Sequence, residues 1–368
     1  MLLRHPTGYS SPSAFTRFID LLVLLSIPSV CSSGGLQSQP MLKPADGGLF
    51  LPPYAVGFDI TLSYGTAVIR YANGSYTPVA KIDSSPAYQE TMKYLSLESS
   101  QHLHPPYRFA FDSLWDKPRE MMRSFRKNLG LPASSDVGKL GNMIRQLRKA
   151  TEEKLGEKIK TAVVTRPELP ALYHEDMVDA LEYAGLEYLE ACWGCPVQFE
   201  LWSGYAGNGF GLCRDFNDTD ACNKEMETMP VEVVVSLLFT ETTLEVHQGY
   251  LSYAYLFSKY PDMRVDLYSN SWDVGLGSMP SGEEEKQQYW DMVYSRIYVV
   301  TKKFVSLPIK IVIFQGESAS NRHFLEMVKN LLAELQPEAP EYLYEDPIFV
   351  AAKGAAEYGF RRLSGLLI

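Results

Sequence analysis

Four of the five cysteines lie within residues 192–222, where their spacing indicates sulfur chemistry. Cys192 and Cys195 are separated by two residues, as in thiol–disulfide exchange motifs, but the flanking sequence predicts no strand-then-helix context for such a motif. An even number of clustered cysteines favours two structural disulfides in an oxidising compartment, formed among Cys192, Cys195, Cys213 and Cys222. Redox activity is the alternative. The gap between Cys213 and Cys222 is atypical of zinc sites, and we predict no metal ligands.

The N-terminal segment has the order of a secretory signal peptide, which we place over residues 1–32. Arg4 and Arg17 precede an apolar run over 18–30, and small residues follow that run. Residues 33–53 then read as a flexible lead. These features predict the secretory pathway or the extracellular space, with no membrane span after removal of the signal. A disordered extension and a cytoplasmic location are the alternatives.

Two N-glycosylation sequons agree with secretion, Asn73-Gly-Ser and Asn217-Asp-Thr. We therefore predict a glycoprotein modified at Asn73 and Asn217. The first sequon has a structural alternative, because Asn73-Gly74 between two apolar runs also predicts a two-residue hairpin turn.

Composition limits the classes of function. The 368 residues are 46% hydrophobic and 21% charged, which is typical of a globular chain of about two domains. The formal net charge is −10, and nucleic-acid binding requires clustered lysine and arginine. We therefore predict no nucleic-acid partner and expect a protein partner that the sequence does not identify.

Alternating strands and helices are predicted from residue 54 onward. The strands are predicted at YAVGFDI, TAVIRYA, YTPVAKI, TAVVT, LEYLEA, VEVVVSLLF, TTLEVHQ, residues 263–268 and IKIVIF. The helices are predicted over residues 116–129, 137–155, 174–184, 283–305, 322–335 and 347–362. The order hairpin, helix, strand, helix occurs twice. It predicts two similar α/β lobes with a ligand cleft between them.

Three stretches resemble one family in order and spacing: KIKTAVVTRPELPALYHEDMVDALEYAGLEYL, IVIFQGESASNR and DPIFVAAKGAAEYGFRR. Over residues 54–362 the chain resembles the actin-like ATPase superfamily, and in particular the nucleotide-binding domain of the 70 kDa heat-shock chaperones without their peptide-binding domain. The resemblance implies an α/β, ribonuclease H-like fold of two lobes, each a mixed sheet with flanking helices.

The same resemblance implies the domain boundaries. Lobe I is expected over 54–199, an interlobe helix with the cysteine segment over 200–222, and lobe II over 223–368. The C-terminal helix is expected to return toward lobe I. The family's adenine-side subdomain is missing, because the predicted helix 283–305 leads almost directly into the next strand.

In this family a magnesium-bound ATP or ADP lies between the lobes, and the matching positions imply a candidate site. Asp59, Glu200 and Asp273 match the acids that hold the metal's waters and orient the attacking water. The positions that match nucleotide contacts are Gly57, Ser63, Tyr64, Gly277, Gly316, Glu317 and Ser318.

Departures from the family pattern concern its phosphate loops. Thr61 stands where the first loop has glycine, and the second loop, Asp-Leu-Gly-Gly-Gly-Thr in the family, aligns with LFTETT over residues 238–243. Glycine permits the close approach of the backbone to a phosphate, and Glu241 adds negative charge there. We therefore predict weak or absent nucleotide binding and a degenerate ATPase with a binding or scaffold role. A low-rate Mg-ATPase is the alternative.

Overall fold

The computed structural model describes residues 51–107, 109–189, 198–255, 267–302 and 307–365. These residues all belong to one compact unit, Pro44–Ile368. The predicted signal peptide and the Cys192–Cys195 pair lie outside the described residues.

The first sheet combines an antiparallel hairpin with parallel additions. Its strands are β1 (Tyr54–Ile60), β2 (Tyr64–Tyr71), β3 (Tyr76–Asp83), β4 (Thr161–Thr165) and β5 (Glu187–Tyr188). The spatial order is β3-β2-β1-β4-β5. β1 pairs antiparallel with β2 and parallel with β4, so the sheet is mixed.

The second sheet repeats this topology. Its strands are β6 (Glu232–Phe239), β7 (Leu244–Leu251), β8 (Leu267–Ser271), β9 (Ile309–Gln315) and β10 (Glu341–Leu343). The order is β10-β9-β6-β7-β8, with β6 antiparallel to β7 and parallel to β9. Two mixed sheets of the same order, each with flanking helices, confirm the predicted two-lobed actin-like ATPase fold.

The helices of the described residues are α1 (Pro86–Leu95), α2 (Ala110–Asn128), α3 (Ser135–Leu155), α4 (His174–Tyr183), α5 (Glu200–Gly207), α6 (Thr219–Thr228), α7 (Glu283–Thr301), α8 (Arg322–Leu335) and α9 (Val350–Leu363). α3 shows how the sequence sets such an element. The Ser134 hydroxyl caps its first turn and Gly156 ends it at φ 76°, while Leu140 and Leu147 are buried on one face. The sequence patterns did not indicate α1, α6 or β10.

Two helices lie between the sheets. The C-terminal helix α9 packs on α5 and on β1, β2 and β4 of the first sheet. Close packing requires glycine at this interface, because a Cβ at Gly57 would lie 2.2 Å from the Ala352 carbonyl oxygen. Gly57 therefore has a packing role that the phosphate-loop interpretation did not include.

A buried ionic network fixes α9 to the first sheet. Glu357 on α9 accepts hydrogen bonds from Arg70 Nε at 2.8 Å, the Tyr76 hydroxyl at 2.6 Å and Arg361 Nε at 2.7 Å. Burial alone would raise the pKa of Glu357, but these partners hold that pKa below its ordinary value. Arg361 also donates to the Cys213 carbonyl at 2.8 Å, so the network reaches the cysteine segment.

One disulfide lies in that segment. Cys213 is bonded to Cys222 in α6, and both residues are 1% exposed. The sequons at Asn73 and Asn217 are both exposed, and Asn73 lies in the predicted hairpin turn between β2 and β3. No helix in the described part of the chain combines the length and apolar character needed to cross a bilayer.

Replacing both Cys213 and Cys222 by serine is expected to lower the melting temperature. The bond restricts the unfolded chain, and a loop of this sequence separation, 9 residues, corresponds to about 2–3 kcal/mol of stability. Differential scanning calorimetry should therefore record a decrease of about 3–4 °C. A reductant should lower the wild-type value at most to that of the variant and leave the variant unchanged. Equal melting temperatures for variant and wild type would contradict the bond.

Candidate functional site

The turn between β1 and β2 occupies the position of the family's first phosphate loop. Thr61 Oγ1 accepts hydrogen bonds from the backbone N–H groups of Ser63 at 3.1 Å and Tyr64 at 3.0 Å. The N–H of Thr61 donates to the Tyr64 carbonyl at 2.9 Å. A threonine hydroxyl that accepts from following N–H groups stabilises a tight turn without glycine. All four residues of this turn, 61–64, are buried.

The turn between β6 and β7 uses the same device. Thr240 Oγ1 accepts from the N–H groups of Thr242 at 3.1 Å and Thr243 at 2.9 Å, and the N–H of Thr240 donates to the Thr243 carbonyl at 2.9 Å. The two turns occupy equivalent places in the two sheets. Each turn therefore has a hydroxyl acceptor at its first position, Thr61 or Thr240, where the family pattern has glycine.

Carboxylates accept from the remaining N–H group of each turn. The N–H of Leu62 donates to the carboxylate of Glu245, on β7 of the other sheet. The N–H of Glu241 donates to Glu317 Oε1 at 3.3 Å. Every N–H group of residues 61–64 and 240–243 thus donates to a protein acceptor. In each turn a carboxylate therefore accepts a hydrogen bond from a backbone N–H group, the kind of donor that binds phosphate in phosphate loops.

Glu317 also joins the two lobes. Its Oε2 lies 3.0 Å from Lys81 Nζ on β3, and that ammonium group is 4.9 Å from the centre of the Tyr64 ring. Glu317 and Ser318 were predicted as nucleotide contacts. In the structure Ser318 donates from its hydroxyl to Glu241 Oε1 at 2.9 Å, so both residues hold the second turn.

Gly316 permits this arrangement. Its φ is 93°, and a Cβ there would lie 2.3 Å from the Phe239 carbonyl oxygen. The N–H of Ser318 donates to that same oxygen at 3.0 Å. The turn at Gly316, one of the predicted nucleotide contacts, is therefore packed directly on the turn between β6 and β7.

Three carboxyl groups are brought together beneath the turns. Asp59 extends from β1, Glu200 begins α5 and Glu245 extends from β7, and all three are buried. Thr165 on β4 donates its hydroxyl to Asp59 Oδ1. Glu200 Oε1 and Glu245 Oε1 have no hydrogen-bond partner. We call Asp59, Glu200 and Glu245 the buried acid cluster.

Burial dominates the titration of this cluster. It raises the pKa of Asp59 to about 7 against the opposing hydrogen bond from Thr165, and it raises the pKa of Glu245 to about 8. The pKa of Glu200 also lies well above its usual range, through burial and then through the charges of Glu245 and Asp59. The cluster therefore binds protons more tightly in the folded chain than in the unfolded chain.

Asp273 has a different environment. Its carboxylate pairs with Arg296 on α7 at 3.2 Å, and the side chain is 58% exposed. The backbone after it packs on the second turn, because the N–H of Gly277 donates to the Glu241 carbonyl at 2.9 Å. The structure thus brings Asp59 and Glu200 together and gives Asp273 a surface ion pair.

Glu245 is the site residue that sequence reasoning missed. The signal was a charged residue within the apolar strand LEVHQGYL, every residue of which is buried. A buried glutamate is rare without a partner or a function. Its position two residues after the second turn could therefore have identified Glu245 as a site residue. His247 follows on the same face of the strand, and burial lowers its pKa to about 4.

A nucleotide triphosphate does not fit this arrangement. The N–H groups of both turns already have acceptors, residues 61–64 are buried, and the carboxylates of Glu241 and Glu317 would repel phosphate at the second turn. Within the described ranges no three His, Cys, Asp or Glu side chains are placed to hold a metal ion.

Comparison with known proteins adds one structural similarity. No protein-family profile and no curated protein matches the chain. Among solved structures, the chain is similar to the ethanolamine utilization protein EutJ from Carboxydothermus hydrogenoformans. The identity is 13%, the TM-score is 0.40, and the alignment covers 85% of this chain and 92% of EutJ.

Replacing Glu245 by glutamine is expected to flatten the dependence of stability on pH. A carboxyl group whose pKa is raised on folding stabilises the protein most below its unfolded pKa, and that stability is lost as pH rises toward the folded value of about 8. Between pH 5 and pH 8 the wild type should lose more free energy of unfolding than Glu245→Gln, by about 2–3 kcal/mol.

Urea denaturation at the two pH values measures this difference. Glu284→Gln, an exposed change on α7, is the matched control and should keep the wild-type pH dependence. The same slope in Glu245→Gln and wild type would show that Glu245 ionises freely in the folded protein.

Proposed function

We propose that this protein is a degenerate relative of the actin-like ATPases, similar to the nucleotide-binding domain of the 70 kDa heat-shock chaperones, with a binding or scaffold role instead of ATP turnover. One observation carries the proposal: the N–H groups of both phosphate turns donate to threonine hydroxyls, carbonyls and carboxylates. Phosphate-loop N–H groups supply much of the stabilisation of charge during phosphoryl transfer, and here they are already used.

Charge supports the same proposal. Glu241 and Glu317 contribute two carboxylates at the second turn, and the nearby Lys81 is paired with both Asp83 and Glu317. A bound triphosphate would have to displace Glu317 from Lys81 and from the N–H of Glu241. The displaced carboxylate of Glu317 and the carboxylate of Glu241 would then both lie beside its phosphates.

A secretory location is part of the proposal. The Cys213–Cys222 disulfide fits an oxidising compartment, and both sequons are exposed. ATP is scarce outside the cytosol. This agrees with a two-lobed fold in which the backbone N–H groups of both turns are not free to bind phosphate. The partner is expected to be a protein.

Isothermal titration with Mg-ATP tests the proposal. The wild type should show no binding heat up to about 1 mM nucleotide, which corresponds to less than about 4 kcal/mol of binding free energy. Glu241→Gly combined with Glu317→Ser removes both carboxylates and frees the N–H of residue 241. This double variant should gain at least about tenfold in affinity.

Glu326→Gln is the control, because Glu326 is an exposed acid on α8 paired with Arg322. It should leave the titration unchanged. Micromolar binding of Mg-ATP by the wild type, with release of phosphate, would refute the proposal.

A low-rate Mg-ATPase is the second candidate. The observation in its favour is that Asp59 and Glu200 share the buried acid cluster between the lobes. In this candidate Asp273 orients the attacking water, so Asp273→Ala should abolish phosphate release, whereas Glu326→Gln should retain it. A background rate that is the same in Asp273→Ala and wild type removes this candidate.

A further inference from the structure

The helix α2 presents large apolar side chains to solvent. We call six residues the α2 apolar face: Phe111, Leu114, Trp115, Met121, Met122 and Phe125. All are exposed, with Trp115 at 76% and Phe111 at 74%. Their spacing of three, four and seven residues places them on one side of the helix. Amphipathic helices of globular proteins usually bury such a stripe.

Ion pairs on the opposite side hold the helix in this orientation. Arg123 on α2 lies 2.7 Å from Asp176 and 2.6 Å from Asp179, both on α4. Lys127 also pairs with Asp179, at 2.7 Å, and Arg119 pairs with Glu175. These ion pairs hold the polar side of α2 against α4. The apolar face on the other side of the helix is therefore directed outward.

The α2 apolar face is symmetric in sequence about Pro118. Counting outward in both directions, the residues three, four and seven positions away are Trp115 and Met121, Leu114 and Met122, and Phe111 and Phe125. An antiparallel helix of the same sequence, centred on Pro118, would therefore bring apolar residues opposite apolar residues throughout. This self-complementarity is what an interface between two identical chains about a two-fold axis requires.

Charges at the helix ends agree with antiparallel pairing. Asp112 lies in the first turn of α2 and Arg126 in the last turn. Fourteen residues separate them, which is close to four helical turns, so they lie on the same flank of the helix. In an antiparallel pair, Asp112 of each copy would approach Arg126 of the other, whereas parallel pairing would bring like charges together.

The exposed area is sufficient for a stable dimer. The exposed parts of the six side chains amount to roughly 800 Å² per copy, since large side chains bury about 150–250 Å² each. Two copies would bury about 1,600 Å², the standard size of a specific interface. Monomers seldom expose an apolar patch larger than about 600 Å².

We propose that the α2 apolar face binds the same face of a second copy of this chain, antiparallel and centred on Pro118. The proposal is independent of the nucleotide question, because none of the six residues belongs to the two turns or to the buried acid cluster. It requires only that the pairing buries the apolar face and joins opposite charges.

Sedimentation velocity of the full chain between about 1 and 100 µM tests the pairing. The wild type should sediment with twice the 41.4 kDa protomer mass of the full sequence. Trp115→Glu should weaken association at least about 100-fold, because it places a charge in the centre of the interface. Val299→Glu, a change from apolar to charged at a 54% exposed position on α7, is the matched control and should remain dimeric.

Single cysteines test the register. Pro118→Cys should form a crosslinked dimer on mild oxidation, because residue 118 meets its own copy at the two-fold axis. Phe111→Cys alone should not crosslink, and an equimolar mixture of Phe111→Cys with Phe125→Cys should. Circular dichroism checks that each variant is folded.

Several results would overturn the proposal. A wild type that is monomeric throughout the concentration range would do so, as would a dimer that Trp115→Glu leaves intact. Crosslinking of Phe111→Cys to itself would indicate another register. Vesicle binding by a monomer that is lost in Trp115→Glu would assign the face to a lipid surface.

Discussion

A backbone N–H group can donate to a phosphate or to the protein, and in both hairpin turns of this chain it donates to the protein. The first threonine of each turn accepts from two N–H groups, at distances between 2.9 and 3.1 Å. The N–H of that threonine donates to a carbonyl of the same turn, and Glu245 and Glu317 accept from the one N–H that remains in each turn. These carboxylates also join the lobes, because Glu245 on β7 accepts from Leu62 in the first turn and Glu317 pairs with Lys81 on β3.

A threonine at the first position of each turn thus has two effects. The added side chain prevents the close approach of a phosphate, and the added hydroxyl accepts the hydrogen bonds that the phosphate would have accepted. With no anion required, the carboxyl groups beneath the turns are buried without solvent. Their pKa values rise, and they bind protons at neutral pH. The ion pair of Lys81 with Glu317 is a charged contact across the cleft.

Much of the fold followed from the sequence. Alternation of apolar strands with amphipathic helices gave the order of elements, and the strings near β4, β9 and α9 gave the family resemblance. The altered phosphate loops were also visible, because LFTETT contains no glycine. What the sequence did not reveal was the acceptor of each N–H group. That depends on contacts across the chain, such as the one between Leu62 and Glu245.

Two further features show the same limit. Glu317 was assigned to nucleotide contact from its place in a motif, and its pairing with Lys81 and Glu241 depends on how the lobes meet. For α2, the sequence predicted a helix over residues 116–129 but not its apolar face, which the usual rule would have buried. The acids of α4 reverse that orientation, because Arg123 satisfies its charge only when the polar side of α2 is turned inward. Ion pairing between distant residues decided the outcome in both cases.

Amide hydrogen exchange, followed by NMR on the protein without nucleotide, tests the central claim most directly. The N–H groups of residues 61–64 and 240–243 should exchange slowly, because each has an acceptor within the protein, and Mg-ATP should leave their rates unchanged. Fast exchange at Leu62 and Glu241 that slows when Mg-ATP is added would contradict the account. It would show that these donors are available to phosphate.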